Sequence, residues 1–172
     1  MTYCSKCGSE LIEKECFNCG ISEGVVPYCS KCDEFRFPPF NTAVSMVVCN
    51  KDYSKILLIK QYGRDFNILV AGYVTKGENL ENTLKRELKE ETGLNVLSFK
   101  YNESQYFEKT NSLICNFIIQ TDNEDFKLTS EVDSAHWYPI NEVKDAIKKN
   151  SLAEYFLKLA LTKINPNKEQ LQ

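Results

Sequence analysis

The strongest constraint in this chain lies in residues 79–92, which read as one helix with carboxylates on the side that should be buried. Apolar residues recur at Leu80, Leu84 and Leu88, and Gly93 supplies a C-terminal stop. At about 100° per residue, Leu84 lies about 40° and Leu88 about 80° from Leu80, which defines an apolar stripe. Glu87 at about −20° and Glu91 at about +20° fall inside or beside that stripe, while Glu90 at about −80° sits on its flank. Glu/Lys-rich helices ordinarily present such residues to solvent. Here that reading fits badly, because an unpaired charge facing a core is costly and acids at i, i+3 and i+4 repel one another. A divalent cation removes both penalties, since magnesium prefers hard oxygen ligands.

Around this helix the residues Gly72-x5-Glu78-x7-Arg86-Glu87-Leu88-x-Glu90-Glu91-x-Gly93-Leu94 match the Nudix box, G-x5-E-x7-R-E-U-x-E-E-x-G-U, at every specified position. The chain therefore resembles the Nudix hydrolases. The resemblance implies an α+β fold, a Nudix α/β/α sandwich, with the box as a loop–helix–loop. It implies magnesium or manganese held by Glu87 and Glu91, with Glu90 close by and the carbonyl of Ala71 as a further ligand. Arg86 would orient the carboxylates by ion pairing and Glu78 would brace the loop. The chemistry suits hydrolysis of a pyrophosphate bond, where a metal neutralises phosphoryl charge and lowers the pKa of the attacking water. Glu90, Glu91 and Glu131 are all candidates for the catalytic base.

Further residues are similar to one branch, the zinc-ribbon NADH pyrophosphatases (NAD-cap hydrolases). Cys29-x-x-Cys32 followed by Asp33-Glu34-Phe35-Arg36-Phe37-Pro38 resembles that branch's zinc knuckle and Tyr-Pro-Arg junction, with Phe37 in place of tyrosine and Pro39 in place of arginine. Its signature S-Q-P-W-P-F-P-x-S is met by Ser104-Gln105-Tyr106-Phe107-Glu108-Lys109-Thr110-Asn111-Ser112. Ser104, Gln105 and Ser112 match and Phe107 replaces tryptophan, but the three prolines are gone and Lys109 replaces phenylalanine. By the same resemblance Glu131, six residues before Trp137, joins the metal site, and Ala153 in Ser151-Leu152-Ala153 contacts substrate. Phe37, Gln105, Phe107, Ser112 and Ala153 are thus the candidate substrate contacts. The expected substrate is a nucleotide conjugate, first an NADH- or NAD-type dinucleotide, with ADP-ribose or a nucleotide sugar as the alternative and an RNA 5′ end possible in principle. A non-catalytic nucleotide sensor or a zinc-ribbon interaction module is the alternative of another class. The branch is typically dimeric, so a homodimer is expected.

Six of the eight cysteines precede residue 33, as the pairs Cys4/Cys7, Cys16/Cys19 and Cys29/Cys32. In a chain without the apolar core of a signal peptide a cytoplasmic address is expected, and there paired Cys-x-x-Cys motifs indicate structural zinc rather than disulfides. One tetrahedral zinc takes four thiolates, so four of these six are ligands. The first two pairs would make a compact ribbon, the last two likewise, and Cys4/Cys7 could join Cys29/Cys32 across an insertion. A redox role is the alternative for the spare pair. Cys49 and Cys115 sit in apolar runs and read as core thiols.

The organisation follows as a zinc-ribbon-like module at 1–36, a Nudix domain at 37–165 and a flexible tail at 166–172. Strand-like runs fall at 44–49, 56–59, 68–71, 96–101, 105–107, 113–121 and 135–138, and helices at 140–149 and 152–164. A net charge of −3 does not suit a general polyanion binder, and the first forty residues carry no basic patch. No apolar stretch approaches the roughly 20 residues that span a bilayer, so no membrane partner is expected.

Overall fold

The computed structural model describes residues 1–164. The tail expected at 166–172 lies outside the described residues. The chain divides into two compact units between Phe40 and Asn41.

In the first unit β1 (Ile12–Asn18) and β2 (Ile21–Cys29) form an antiparallel hairpin, and the short β3 (Glu34–Phe35) pairs with the end of β2. Most of the hairpin is exposed; Cys16, Val26, Tyr28 and Cys29 are its buried residues. So little apolar burial falls short of what an independent fold of this size needs.

The second unit contains β4 (Asn41–Cys49), β5 (Lys55–Lys60), β6 (Val70–Tyr73), α1 (Leu80–Thr92), β7 (Val96–Phe107), β8 (Ser112–Thr121), β9 (Ser134–Pro139), α2 (Val143–Ala146) and α3 (Leu152–Ile164). Its sheet runs β7-β8-β4-β5-β9, with β6 also paired to β4. The β4–β8 pair is parallel and the others are antiparallel. Both faces of the central strands are covered, which is why their sequences read as near-continuous apolar runs rather than alternating ones. Val44, Met46 and Val48 of β4 join Leu84 and Leu88 of α1 on one face. Val47 and Cys49 join Phe156, Leu157 and Ala160 of α3 on the other. This is the expected α/β/α layering.

Two expected elements differ. The runs at 96–101 and 105–107 form one strand, β7, that is bulged between Tyr101 and Glu103 rather than broken. The buried Asn102 sits at the bulge and its amide donates to Asn116 Oδ1 at 2.8 Å and to the Phe156 carbonyl at 3.0 Å. These two bonds anchor the chain between sheet and helix while it changes register. The helix expected at 140–149 shrinks to the single turn of α2. Asn67 takes the backbone that would have continued it: its amide donates to the Ala146 carbonyl at 2.9 Å, and its own carbonyl accepts from Lys148 N at 3.0 Å. Ile147 is consequently extended and bridged to Asn67. Among the described residues no helix is long and apolar enough to cross a membrane.

Candidate active site

The site opens where the sheet splits. Along one edge, β4 pairs with β6 at Ala43 to Met46 and with β5 at Val48 and Cys49. The chain leaves β5 at Lys60, and Gln61 is the first residue beyond its end. The resulting cleft has a volume of about 490 Å³ and is lined by Gln61, Ala71, Gly72, Glu87, Glu91, Phe107, Ser112 and Glu131, among others.

Helix α1 presents its carboxylates to this cleft because both of its ends are pinned. Asn79 caps the start, its side chain accepting from Asn82 N at 2.8 Å, and Gly93 ends it with a left-handed φ of 72° and a bond to the Lys89 carbonyl. Leu84 and Leu88 are fully buried, each contributing about 1.5–3 kcal/mol, and they lock the rotation of the helix. That rotation carries Glu91 inside, at 3% exposure, and leaves the Glu90 side chain 57% exposed. Glu87 lies against β6 so closely that a Cβ on Gly72 would stand 1.8 Å from its carboxyl carbon. Glycine at this position is therefore a steric requirement of the site.

Arg86 organises the neighbouring charges. Its Nε and Nη2 clasp Glu78 at 2.7 and 2.8 Å, its Nη1 reaches Glu87 at 2.8 Å and Glu90 at 3.0 Å, and Nη2 donates to the Tyr73 carbonyl at 3.1 Å. Glu78 also accepts from Thr75 N and Thr83 Oγ1, which ties the loop before the helix to its first turn. The guanidinium holds the Glu78 carboxyl at about 2, well below its ordinary range. Burial has the opposite effect on the cleft carboxylates. It raises Glu87 against the pull of Arg86, and it pushes Glu91 up to about 7, with the charges of Glu87, Glu131 and Glu90 acting in the same direction. Gln61 opposes that rise by donating to Glu91 Oε1 at 2.8 Å, whereas the buried Oε2 has no hydrogen-bond partner among the described residues. An orphaned carboxylate oxygen in a cleft of hard oxygen donors is the pattern a divalent cation fits.

The NUDIX domain model matches residues 39–159. The chain belongs to the Nudix family. Over 145 residues it is 30% identical to the NAD-capped RNA hydrolase NudC of Escherichia coli O1:K1 / APEC, covering 82% of this chain and 52% of that protein. NudC of Stutzerimonas stutzeri (strain A1501) is 24% identical over 162 residues, covering 94% and 56%. The chain thus spans about half the length of the curated relatives it matches. A crystal structure of a NUDIX hydrolase from Nitrosomonas europaea is similar over 100% of this chain and 94% of that one, with a TM-score of 0.67 at 20% identity. At that identity the likeness is one of fold.

Within the Nudix cleft the structure brings together Ala71, Glu87, Glu91, Glu131, Phe107 and Ser112. Glu131 arrives from the loop before β9. Ala153 lines an adjoining slot of about 290 Å³, whose wall shares Ala43, Ala71, Phe107 and Ile114 with the cleft. Gln105 lines neither cavity; it lies on β7 and its amide donates to Tyr155 Oη at 3.3 Å. Phe37 is an exposed residue of the first unit. Sequence reasoning missed Gln61 in the cleft and Arg64, Phe66 and Lys148 in the slot. Their only trace in the sequence is that Gln61 lies two residues beyond the apolar run 56–59; their convergence depends on the β5–β6 loop and the shortened α2.

Of the three cysteine pairs, Cys4/Cys7 and Cys29/Cys32 converge, with all four sulfurs within 4.8 Å of one another. The Cys4–Cys32 and Cys7–Cys29 separations are 4.0 and 3.5 Å. A tetrahedral thiolate site with bonds of about 2.3 Å has edges of about 3.8 Å, so the donor set fits zinc. Arg36 Nε donates to Cys4 Sγ at 3.3 Å. Cys16 and Cys19 stand apart on the β1–β2 hairpin, which is the insertion between the two knuckles; Cys16 is buried and Cys19 is exposed. Cys49 and Cys115 are buried in the cores, and burial raises both thiols, Cys49 to about 12.

Proposed function

We propose that this chain hydrolyses the pyrophosphate bond of a nucleoside diphosphate conjugate, with NADH- and NAD-type dinucleotides as the first candidates. Water adds across the P–O–P bridge and two monophosphates leave, NMN(H) and AMP in the dinucleotide case. The observation that carries this reading is the pair Glu87 and Glu91, held on the buried side of α1 yet open to a cleft shared with Glu131 and the Ala71 segment. The names of the curated relatives support the dinucleotide end of the proposal.

Glu87, Glu91, Glu131 and the Ala71 carbonyl would hold magnesium or manganese. When bound, such an ion neutralises phosphoryl charge and lowers the pKa of a nucleophilic water. Arg86 keeps Glu87 aimed at the cleft and Gln61 keeps Glu91 oriented, so neither carboxylate must reorganise when substrate enters. Glu131, Glu91 and Glu90 compete for the role of base, and the exposed Glu131 is the one not already committed to Arg86 or Gln61 among the described residues. Phe107, between cleft and slot, offers a stacking face for a base or nicotinamide ring. Zinc on Cys4, Cys7, Cys29 and Cys32 would brace the small N-terminal unit, and a cytoplasmic homodimer is the expected form.

The test is a screen of NADH, NAD, ADP-ribose, a nucleotide sugar, diadenosine polyphosphates and NAD-capped RNA with magnesium or manganese, with Glu91→Gln alongside. Turnover that stops in chelator and is lost in the variant supports the proposal. No hydrolysis of any member with either metal would overturn it.

A further inference from the structure

The two adjoining cavities have opposite electrostatic character. The cleft carries Glu87, Glu91 and Glu131, whereas the slot carries Arg64 and Lys148 as its only charged residues among the described lining. The remaining slot wall is largely apolar, with Phe66, Leu152 and Phe156 beside the shared Phe107. At about 290 Å³ the slot has room for one ring system, near the lower end of the usual range of about 300–1,000 Å³ for ligand pockets. The cleft then takes the pyrophosphate and its cation.

Neither Arg64 nor Lys148 has a carboxylate partner among the described residues. Neighbouring cations do: Lys60 is paired with Asp65 and Lys149 with Asp145. Lys148 Nζ instead rests 3.8 Å above the centroid of the Phe66 ring, and the Arg64 guanidinium lies 5.8 Å from that of Tyr62. A ring face attracts a cation only weakly and leaves its charge uncompensated. Two such cations beside an apolar slot are poised for an anion, and a guanidinium with an ammonium suits a phosphate.

The geometry points to a specificity subsite: the slot accepts the nucleoside end of the substrate, and Arg64 with Lys148 binds a further phosphate on that nucleoside's ribose. This deepens the pyrophosphatase reading and rests on it for which end of the conjugate enters the slot. The shared chemistry is a ribose phosphate, on O2′ as in a phosphorylated dinucleotide or on O3′ as in a nucleotide extended through a 3′ linkage.

Calorimetric titration of the full chain with AMP, adenosine 2′,5′-bisphosphate and adenosine 3′,5′-bisphosphate tests this without requiring turnover and separates the two sources. One bisphosphate is expected to bind about tenfold or more tighter than AMP, as a charge-assisted contact warrants. That advantage should shrink to about twofold in Arg64→Ala/Lys148→Ala and in Lys148→Met, the latter keeping an unbranched stem over Phe66. Equal affinity for all three ligands overturns the proposal. So does an equal loss for AMP and both bisphosphates in the variants, since the cations would then serve the phosphate common to all. Hydrolysis of the full substrate screen, with NADPH added, run in parallel distinguishes the two readings: if no member is cleaved with magnesium or manganese while the bisphosphate advantage holds, the hydrolytic assignment fails and the anion subsite stands.

Discussion

A methyl group at Gly72 would lie 1.8 Å from Cδ of Glu87 and 2.1 and 2.3 Å from its two oxygens. Gly72 is not among the residues with positive φ, so alanine suits the backbone there and the perturbation is confined to that contact. To regain an ordinary separation of about 3.5 Å the carboxylate must retreat by roughly 1.7 Å, and the 2.8 Å pair with Arg86 stretches or breaks with it. The displaced group is the end of a flexible side chain, so the fold should lose only about 0.5–1.5 kcal/mol, the scale of an off-rotamer side chain. Catalysis is far less tolerant, since a misplacement of about 1 Å can lower turnover about 10²-fold. Steady-state hydrolysis of the best substrate across a magnesium titration, with a thermal melt alongside, measures both. Gly72→Ala should melt within a few degrees of wild type, lose about two orders of magnitude in kcat, and require more metal for half-saturation. A variant within twofold of wild type in kcat and in metal requirement would refute the idea that Glu87 must be held against β6.

Glu91 sets a pH dependence in the metal-free protein. Its carboxyl is raised by burial to about 7 from an ordinary 4.5, so both states are protonated below about 4.5 and the native state alone keeps the proton between these values. Stability contributed by the neutral form is therefore lost as pH rises through about 7, and Glu91→Gln in chelator should stabilise the fold at pH 8 by up to about 3 kcal/mol and hardly at all at pH 4. Denaturant melts at the two pH values check this, and equal effects at both would contradict it. Glu78 has the opposite sign: held at about 2 by Arg86, it contributes stability above its ordinary 4.5 that disappears as pH falls towards 2, so Glu78→Gln should flatten the acid limb of the stability profile. For the N-terminal unit, metal analysis should find one zinc per chain, lost in Cys29→Ser and retained in Cys16→Ser/Cys19→Ser; retention in the first variant or loss in the second would break the assignment of ligands. Leu88→Ala should cost about 2–5 kcal/mol in a denaturant melt, because Leu88 is fully buried against the sheet and its removal frees the rotation of α1.

Residues 79–93 determined their own structure: a cap, a 3.6-residue repeat of leucines and a terminal glycine set the helix and its rotation, and so decided that Glu87 and Glu91 face inward while Glu90 does not. The apolar runs of β4, β5 and β8 were equally legible, because burial on both faces leaves no polar alternation to misread. What lay beyond the sequence depends on contacts distant along the chain. The length of α2 was decided by Asn67, whose amide and carbonyl take backbone partners about eighty residues away. The choice of Cys4/Cys7 over Cys16/Cys19 as partners of Cys29/Cys32 was decided by the β1–β2 pairing, which carries the middle pair away from the sulfur cluster. Likewise the Gln61–Glu91 bond and the shared slot of Arg64 and Lys148 depend on β6 displacing β5 from the edge of β4 and on α2 stopping early. Helix periodicity is a local property that a sequence carries by itself; which loops share a cavity is set by strand register and backbone capture, and only the tertiary structure decides those.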